Sequence, residues 1–242
     1  MIKSKKALLA LSTIFLCVQA ILGVLLQTAQ SAIPFNLRYT AILLACLFCV
    51  LCAEKSFSYL FTQIALLFTV GADYFLVLRT DARQLPAMLL FSVVQIAYFL
   101  RLYLEDASKT RRLVHLIVRA ALSLVAIGIT VAVLGEKCDA VALVSMFYYA
   151  NLILNAVFAC ISFGKNPLLA IGLVLFILCD TVIGLSLIDP YLTLPESSPI
   201  YAIIHPGFDL AWAFYLPSQA LLAISLLPCR FKNTDNKSKS AA

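Results

Sequence analysis

Two stretches decide the fold: FSYLFTQIALLFTVGADYFLVL, residues 57–78, and PLLAIGLVLFILCDTVIGLSLI, residues 167–188. Each is long and apolar enough to cross a bilayer, which takes about 20 such residues in a helix. Each also carries a carboxyl group, Asp73 in the first and Asp180 in the second. An ionisable side chain in hydrocarbon costs at least about 2.5–3.5 kcal/mol on insertion scales and marks a functional site by default.

The rest of the chain has the same character. Of its 242 residues 63% are hydrophobic and 12% charged, with a mean hydropathy of +1.00. A soluble domain carries roughly twice that share of charge. The composition therefore gives an all-α, polytopic membrane helix bundle. Backbone groups in lipid must be satisfied internally, and these runs lack the alternation of barrel strands. Eight transmembrane helices are expected, at about 7–28, 38–53, 56–78, 85–103, 113–134, 140–162, 167–188 and 207–228. Residues 1–228 then form a single eight-helix transmembrane domain, and 229–242 a polar, basic cytoplasmic tail.

Charge orients the bundle. With the N-terminus inside, the inner segments hold Lys3, Lys5, Lys6, Lys55, Arg101, Lys109, Arg111, Arg112, Lys165, Arg230, Lys232, Lys237 and Lys239. The outer segments hold Arg38, Arg79, Arg83 and Lys137. This thirteen-to-four bias follows the positive-inside rule and places both termini in the cytoplasm. The net charge of +6 thus reflects orientation; no basic face interleaved with aromatics suggests nucleic acid. The remaining cation, Arg119, lies within a span, where snorkelling to headgroups is its expected role. The apolar stretch after MIKSKK reads as an uncleaved first span; signal cleavage would leave seven spans with the N-terminus outside. Short loops favour a bacterial plasma membrane over the endoplasmic reticulum. Nothing in the sequence sets an oligomeric state.

The eight cysteines fall almost entirely in apolar runs, as small buried hydrophobes do. Cys46, Cys49 and Cys52 have the spacing of a ligand run but no fourth ligand, so helix packing is the expected role and no metal or cofactor is implied. Residues 189–206 form the longest outer loop, either a lid or a plain connector, and Pro190, Pro195, Pro199 and Pro206 argue against regular helix there. His205 reads as a loop residue and Trp212 as an interfacial anchor.

Polar side chains accompany the aspartates: Gln95 and Tyr98 in the fourth span, Tyr148, Tyr149, Asn151 and Asn155 in the sixth, and Tyr215 and Gln219 in the eighth. Asn151 and Asn155 share a helical face. Such groups point into a bundle or cavity rather than at lipid, either as interhelical glue or as site residues. Two desolvated carboxyls can divide their roles, one holding a proton while its partner stays ionised. That suits hydrolysis through an oxocarbenium-like cation, as glycosidases perform it, and equally a proton-coupled transporter or a lipid-binding protein. Hydrolase signatures such as HExxH and GxSxG are missing. The inverted repeats usual in transporters are not evident either.

The stretch from Gly71-Ala72-Asp73 through Phe91, Gln95 and Tyr98 resembles the first signature of the YhhN-like lysoplasmalogenase family. YYANLILNA (148–156), LVLFILCD (173–180) and Tyr215-Leu-Pro-Ser-Gln219 resemble three later motifs, in the same order and spacing. The resemblance spans about residues 60–225. It implies a membrane hydrolase that cleaves the vinyl ether bond of lysoplasmalogens to a fatty aldehyde and a glycerophospho-headgroup. It implies Asp73 and Asp180 as the catalytic acids, and Gln95, Tyr98, Tyr149, Asn151, Tyr215 and Gln219 as substrate-binding groups. The partners would be a lysophospholipid substrate, water and the lipid bilayer. The chain departs from the pattern at four places. Ala72 separates the Gly from its Asp, and Gln95 stands where His is usual and cannot shuttle protons. Cys179 replaces a Ser, and Asn155 occupies a usually apolar position.

Overall fold

A computed structural model describes residues 5–28, 35–79, 83–188, 191, 195, 197–204 and 207–227. The expected basic tail (229–242) and His205 lie outside the described residues. In chain order the helices are α1 (Lys5–Thr28), α2 (Phe35–Cys52), α3 (Phe57–Asp73), α4 (Gln84–Glu105), α5 (Lys109–Leu134), α6 (Ala140–Ile161), α7 (Pro167–Ser186), α8 (Pro199–Ile204) and α9 (Leu210–Ile224). No strand occurs among the described residues. Six of the helical segments, those of α1, α3, α4, α5, α6 and α7, are long and apolar enough to span a membrane; α2 and α9 are shorter apolar helices.

Local chemistry sets the helix starts. Side chains of Ser108, Asp139, Asn166 and Asp209 accept the otherwise orphaned amides of Arg111, Ala142, Leu169 and Trp212, as N-caps do. Pro167 occupies the first turn of α7, where a missing N–H is harmless. The same preference explains a departure from expectation in the outer loop. Pro199 was expected to oppose helix, yet it opens α8.

The helices α3, α4, α6, α7 and α9 pack in a ring, with α2 against both α3 and α9. Helix α1 lies outside on α2 and α9, and α5 packs chiefly on α6. The outer faces are apolar: Ile21 and Val24 on α1, and Leu124 and Val133 on α5, are more than half exposed. Faces of this kind fit hydrocarbon, not water. Cys46, Cys49 and Cys52 are buried together with Phe15, Phe48, Leu66 and Ala220, so the cysteine run is a packing face.

Helices α7 and α9 are in close contact at Gly172. A Cβ there would lie 2.9 Å from Leu222 Cγ and 3.3 Å from its backbone nitrogen. The Ser218 hydroxyl donates to the Gly172 carbonyl at 2.8 Å in the same contact. Gly172→Ala is therefore expected to wedge the helices apart and destabilise by about 1–3 kcal/mol. Thermal unfolding in detergent measures this, and an unchanged midpoint would refute the close-contact argument.

Two arginines sit differently from expectation. Arg101, counted among the inner-loop charges, lies within α4 and is fully buried. Its guanidinium donates to the Thr62 and Ser225 hydroxyls (2.7 and 3.0 Å) and to the Glu105 carboxylate (3.2 Å). Arg119 does not reach towards headgroups. It turns inward, donating to the Asn151 and Asn155 side-chain oxygens and covering the Phe99 ring. Two acceptors on the facing helix take its Nη1 and Nη2 hydrogens inside the bundle, while its Nε has no hydrogen-bond partner among the described residues.

Candidate functional site

Asp73 is the last α-helical residue of α3. Immediately after it the helix widens into a π turn, Tyr74–Leu78. Such turns often mark functional positions because they re-aim the side chains around them. The Asp73 side chain is 3% exposed and accepts a hydrogen bond of 2.6 Å from the Tyr215 hydroxyl on α9. Pro217, two residues on, withholds the amide that would close the helix onto the Ala213 carbonyl, so α9 runs on without that hydrogen bond beside Tyr215.

Asp180, on α7, is half-buried and accepts a hydrogen bond from the Tyr148 hydroxyl on α6. The two acid–tyrosine pairs therefore repeat one arrangement, a carboxyl on one helix held by a phenol from another. Aromatic rings connect them. Phe91 stacks on Tyr148 with centroids 5.7 Å apart and meets Phe176 edge-on at 6.0 Å. Phe176 in turn lies 5.7 Å from Tyr215. The two carboxyls are within electrostatic reach of each other, and the Tyr215 hydroxyl is within reach of both. All four rings belong to one continuous buried cluster that also holds Tyr98 and Cys179.

A second polar layer lies one turn farther in. Gln95 and Tyr98 on α4 and Gln219 on α9 are each fully buried. Gln95 Nε2, the Tyr98 hydroxyl and both polar atoms of the Gln219 amide have no hydrogen-bond partner among the described residues. A buried polar atom left unpaired costs about 1–3 kcal/mol. The layer thus holds unpaired donors and acceptors next to the carboxyl-bearing cluster.

The expected site residues divide accordingly. Asp73 and Tyr215 meet directly, and Gln95, Tyr98 and Gln219 underlie them. Tyr149 points elsewhere, sharing a 2.6 Å hydrogen bond with Thr181, whose hydroxyl donates to the Ile177 carbonyl. Asn151 also lies apart, accepting from Arg119 and donating to Ser123 and to the Phe147 carbonyl. Tyr148 is the site residue that sequence reasoning left unselected. The signal existed: Tyr148, Asn151 and Asn155 stand at i, i+3 and i+7, one helical face, whereas Tyr149 begins the next stripe. Phe176 carries a similar signal, one turn before Asp180 on α7.

The end of the bundle at which α9 begins is tied by Asp209. Arg38 of α2 pairs with its carboxylate at 2.9 Å, while the Gln27 side chain of α1 brackets its backbone N–H and C=O. Trp212 lies edge-on to Tyr215 and beneath the Arg38 guanidinium, so it roofs the acid site as well as any interface. Nearby, Tyr191 donates to the Asp139 carboxylate at 3.0 Å. Burial, and then the Asp139 carboxylate, push its hydroxyl above the usual phenol range. Among the described residues no three His, Cys, Asp or Glu side chains gather as a metal site.

The sequence model of the YhhN family matches residues 35–226, from the start of α2 to just beyond α9. No curated protein and no solved structure matches the chain. The matched segment covers most of the chain and every residue of the two acid–tyrosine pairs, and the protein belongs to the YhhN family.

Proposed function

We propose that this protein is a membrane-embedded hydrolase that cleaves the vinyl ether bond of lysoplasmalogen-type lysolipids to a fatty aldehyde and a glycerophospho-headgroup. The observation that carries this reading is the pair of carboxyls within the bundle, buried Asp73 and half-buried Asp180, each held by the hydroxyl of a tyrosine from one aromatic cluster. YhhN family membership supports the same class of reaction.

The chemistry needs two carboxyls and water. One carboxyl, protonated, gives its proton to the β-carbon of the vinyl ether. The C=C electrons form the new C–H bond, and positive charge spreads over the former vinyl carbon and the ether oxygen. The second carboxyl, ionised, stabilises that cation electrostatically and accepts a proton from the water that adds to it. The resulting hemiacetal breaks its bond to the glycerol oxygen, which takes the proton held by the second carboxyl, while the hemiacetal hydroxyl returns its proton to the first carboxyl and aldehyde leaves. Gln95, Tyr98, Tyr215 and Gln219 surround the reacting groups and orient substrate and water. Tyr149 and Asn151 contribute by holding α6 against α7 and α5. No metal or organic cofactor enters.

In this reading α2 and α9 complete an eight-span bundle, making residues 1–228 one transmembrane domain with a cytoplasmic basic tail. Both termini are cytoplasmic, and the positive-inside bias stays at twelve to four with Arg101 counted inside α4. Asp73 and Asp180 then lie in the outer half of the membrane, with a bacterial plasma membrane as the setting. The substrate's tail lies between helices and its headgroup at the outer mouth.

The decisive measurement is aldehyde release from lysoplasmalogen by the purified full chain. A folded wild type that releases none would remove the hydrolase reading in favour of a proton-coupled transporter or lipid-binding protein using the same carboxyls. Tyr148→Phe and Tyr149→Phe separate the two neighbouring tyrosines. Loss of the Tyr148 hydroxyl is expected to lower kcat about tenfold or more, because a hydrogen bond to a charged group contributes about 1.5–3 kcal/mol. Tyr149→Phe should stay within about threefold of wild type. The reverse order would detach Asp180 from the chemistry.

A further inference from the structure

The side chains around Arg119 form a chain of hydrogen bonds whose direction is fixed. A guanidinium can only donate. Its Nη2 lies 2.7 Å from Asn155 Oδ1, so that oxygen accepts, and Asn155 must present Nδ2 on its other side. Both hydrogens of that Nδ2 go to one residue: to the Gln95 main-chain carbonyl at 2.9 Å and to Gln95 Oε1 at 3.0 Å. Gln95 Oε1 therefore accepts, and the Gln95 amide has only its Nε2 hydrogens left to offer. Nε2 is buried without a partner among the described residues. The far end is equally fixed. The guanidinium lies 4.3 Å over Phe99, one turn from Gln95 on α4, and also donates to Asn151. Asn155, an amide at a usually apolar position, and Arg119, a cation within a span, thus serve one result. The Gln95 amide cannot flip and faces its ligand as a donor.

We propose that Arg119 and Asn155 are positioning residues that hold Gln95 as a donor to a hydroxyl oxygen on the glycerol backbone of the lysolipid; this rests on the hydrolase reading above. In the protonation step the vinyl ether oxygen is the wrong acceptor. That ether oxygen becomes electron-poor when the vinyl carbon is protonated, so an N–H aimed at it would oppose the reaction. The free hydroxyl of a lysolipid supplies the needed lone pair.

The test uses the full chain in detergent with lysoplasmalogen and an analogue whose glycerol hydroxyl is replaced by hydrogen. Gln95→Ala and Asn155→Asp should each lower kcat/KM about tenfold on lysoplasmalogen, the worth of one hydrogen bond. Asn155→Asp still accepts from Arg119 but no longer donates to Gln95. The double variant should fall no more than about twofold below Gln95→Ala alone, since Asn155 acts through Gln95. Wild type should lose about tenfold on the deoxy analogue, and Gln95→Ala should not distinguish the two substrates. Losses that multiply in the double variant, or a wild type indifferent to the hydroxyl, would overturn the proposal. A second measurement is independent of activity. The chain has seven glutamines, so ¹⁵N-glutamine labelling gives seven side-chain amide signals, and Gln95→Ala identifies one of them. Arg119→Lys should shift the Gln95 signal although Arg119 does not bond to Gln95, and Asn155→Asp should shift it too. A Gln95 signal unmoved in both would refute the relay. A wild type without aldehyde release would overturn the hydrolase reading and the hydroxyl assignment, and the amide signals would then decide the relay alone.

Discussion

Replacing either Asp73 or Asp180 by Asn is expected to reduce aldehyde release by at least about a hundredfold, the lower end of what a positioned acid or base contributes. Asparagine removes the proton and the charge while keeping the shape. It also keeps an acceptor oxygen for the tyrosine that holds each site, Tyr215 at Asp73 and Tyr148 at Asp180. The fold should therefore survive, with an unfolding midpoint close to wild type, and the loss can be read as chemistry. If the two carboxyls form one acid–base unit, the double variant should be little worse than either single one, as groups that act together are strongly non-additive. Activity that survives both substitutions would remove the mechanism. Losses that multiply would mean two independent roles.

The largest effect on stability is expected at Arg101. It is fully buried, and it joins α3 through Thr62 and the turn after α9 through Ser225, while its own helix supplies Glu105. Its guanidinium also lies 4.9 Å over the Tyr59 ring, and Asn166, the cap of α7, donates to the same Ser225 carbonyl that Arg101 reaches. Four helices thus converge on one cation. Truncating a large, fully buried side chain to alanine commonly costs about 2–5 kcal/mol, so Arg101→Ala should lower detergent stability by roughly that amount. Arg101→Met tests the origin of the effect. It refills much of the volume without the charge, and some buried ionic clusters are replaced by apolar groups without loss. A methionine variant as stable as wild type would show that filled space, not the hydrogen-bonded cation, holds this end of the bundle together.

Helices were legible because the signal is local. A run such as residues 113–134 has no alternative in lipid but to close its own hydrogen bonds, and the observed α5 extends that run by a single turn at its start. The aspartates were legible for the same reason: their cost in hydrocarbon depends on the run they sit in, not on their neighbours in space. The partner of Asp180 was not. Tyr148 and Tyr149 are equivalent in composition and depth, and only the rotation of α6 against α7 gives one the carboxyl and the other Thr181. Arg119 shows the same limit. A cation one or two turns inside a span can reach headgroups or turn inward, and the two amides of α6 that draw it inward are some thirty residues away along the chain.

The sequence by itself determined that this chain is a helical membrane bundle, that it carries two costly carboxyls, and that it is similar to the YhhN family. Each of these follows from the free energy of short segments in hydrocarbon or from motifs in order. Only the tertiary structure decided which hydroxyl holds which acid, that Phe91 and Phe176 join the two pairs, and that Arg119, Asn155 and Gln95 form one directed chain. Those are properties of helix rotation and close packing, set by contacts such as Gly172 against Leu222. They depend on how several faces fit together at once, which no single segment encodes.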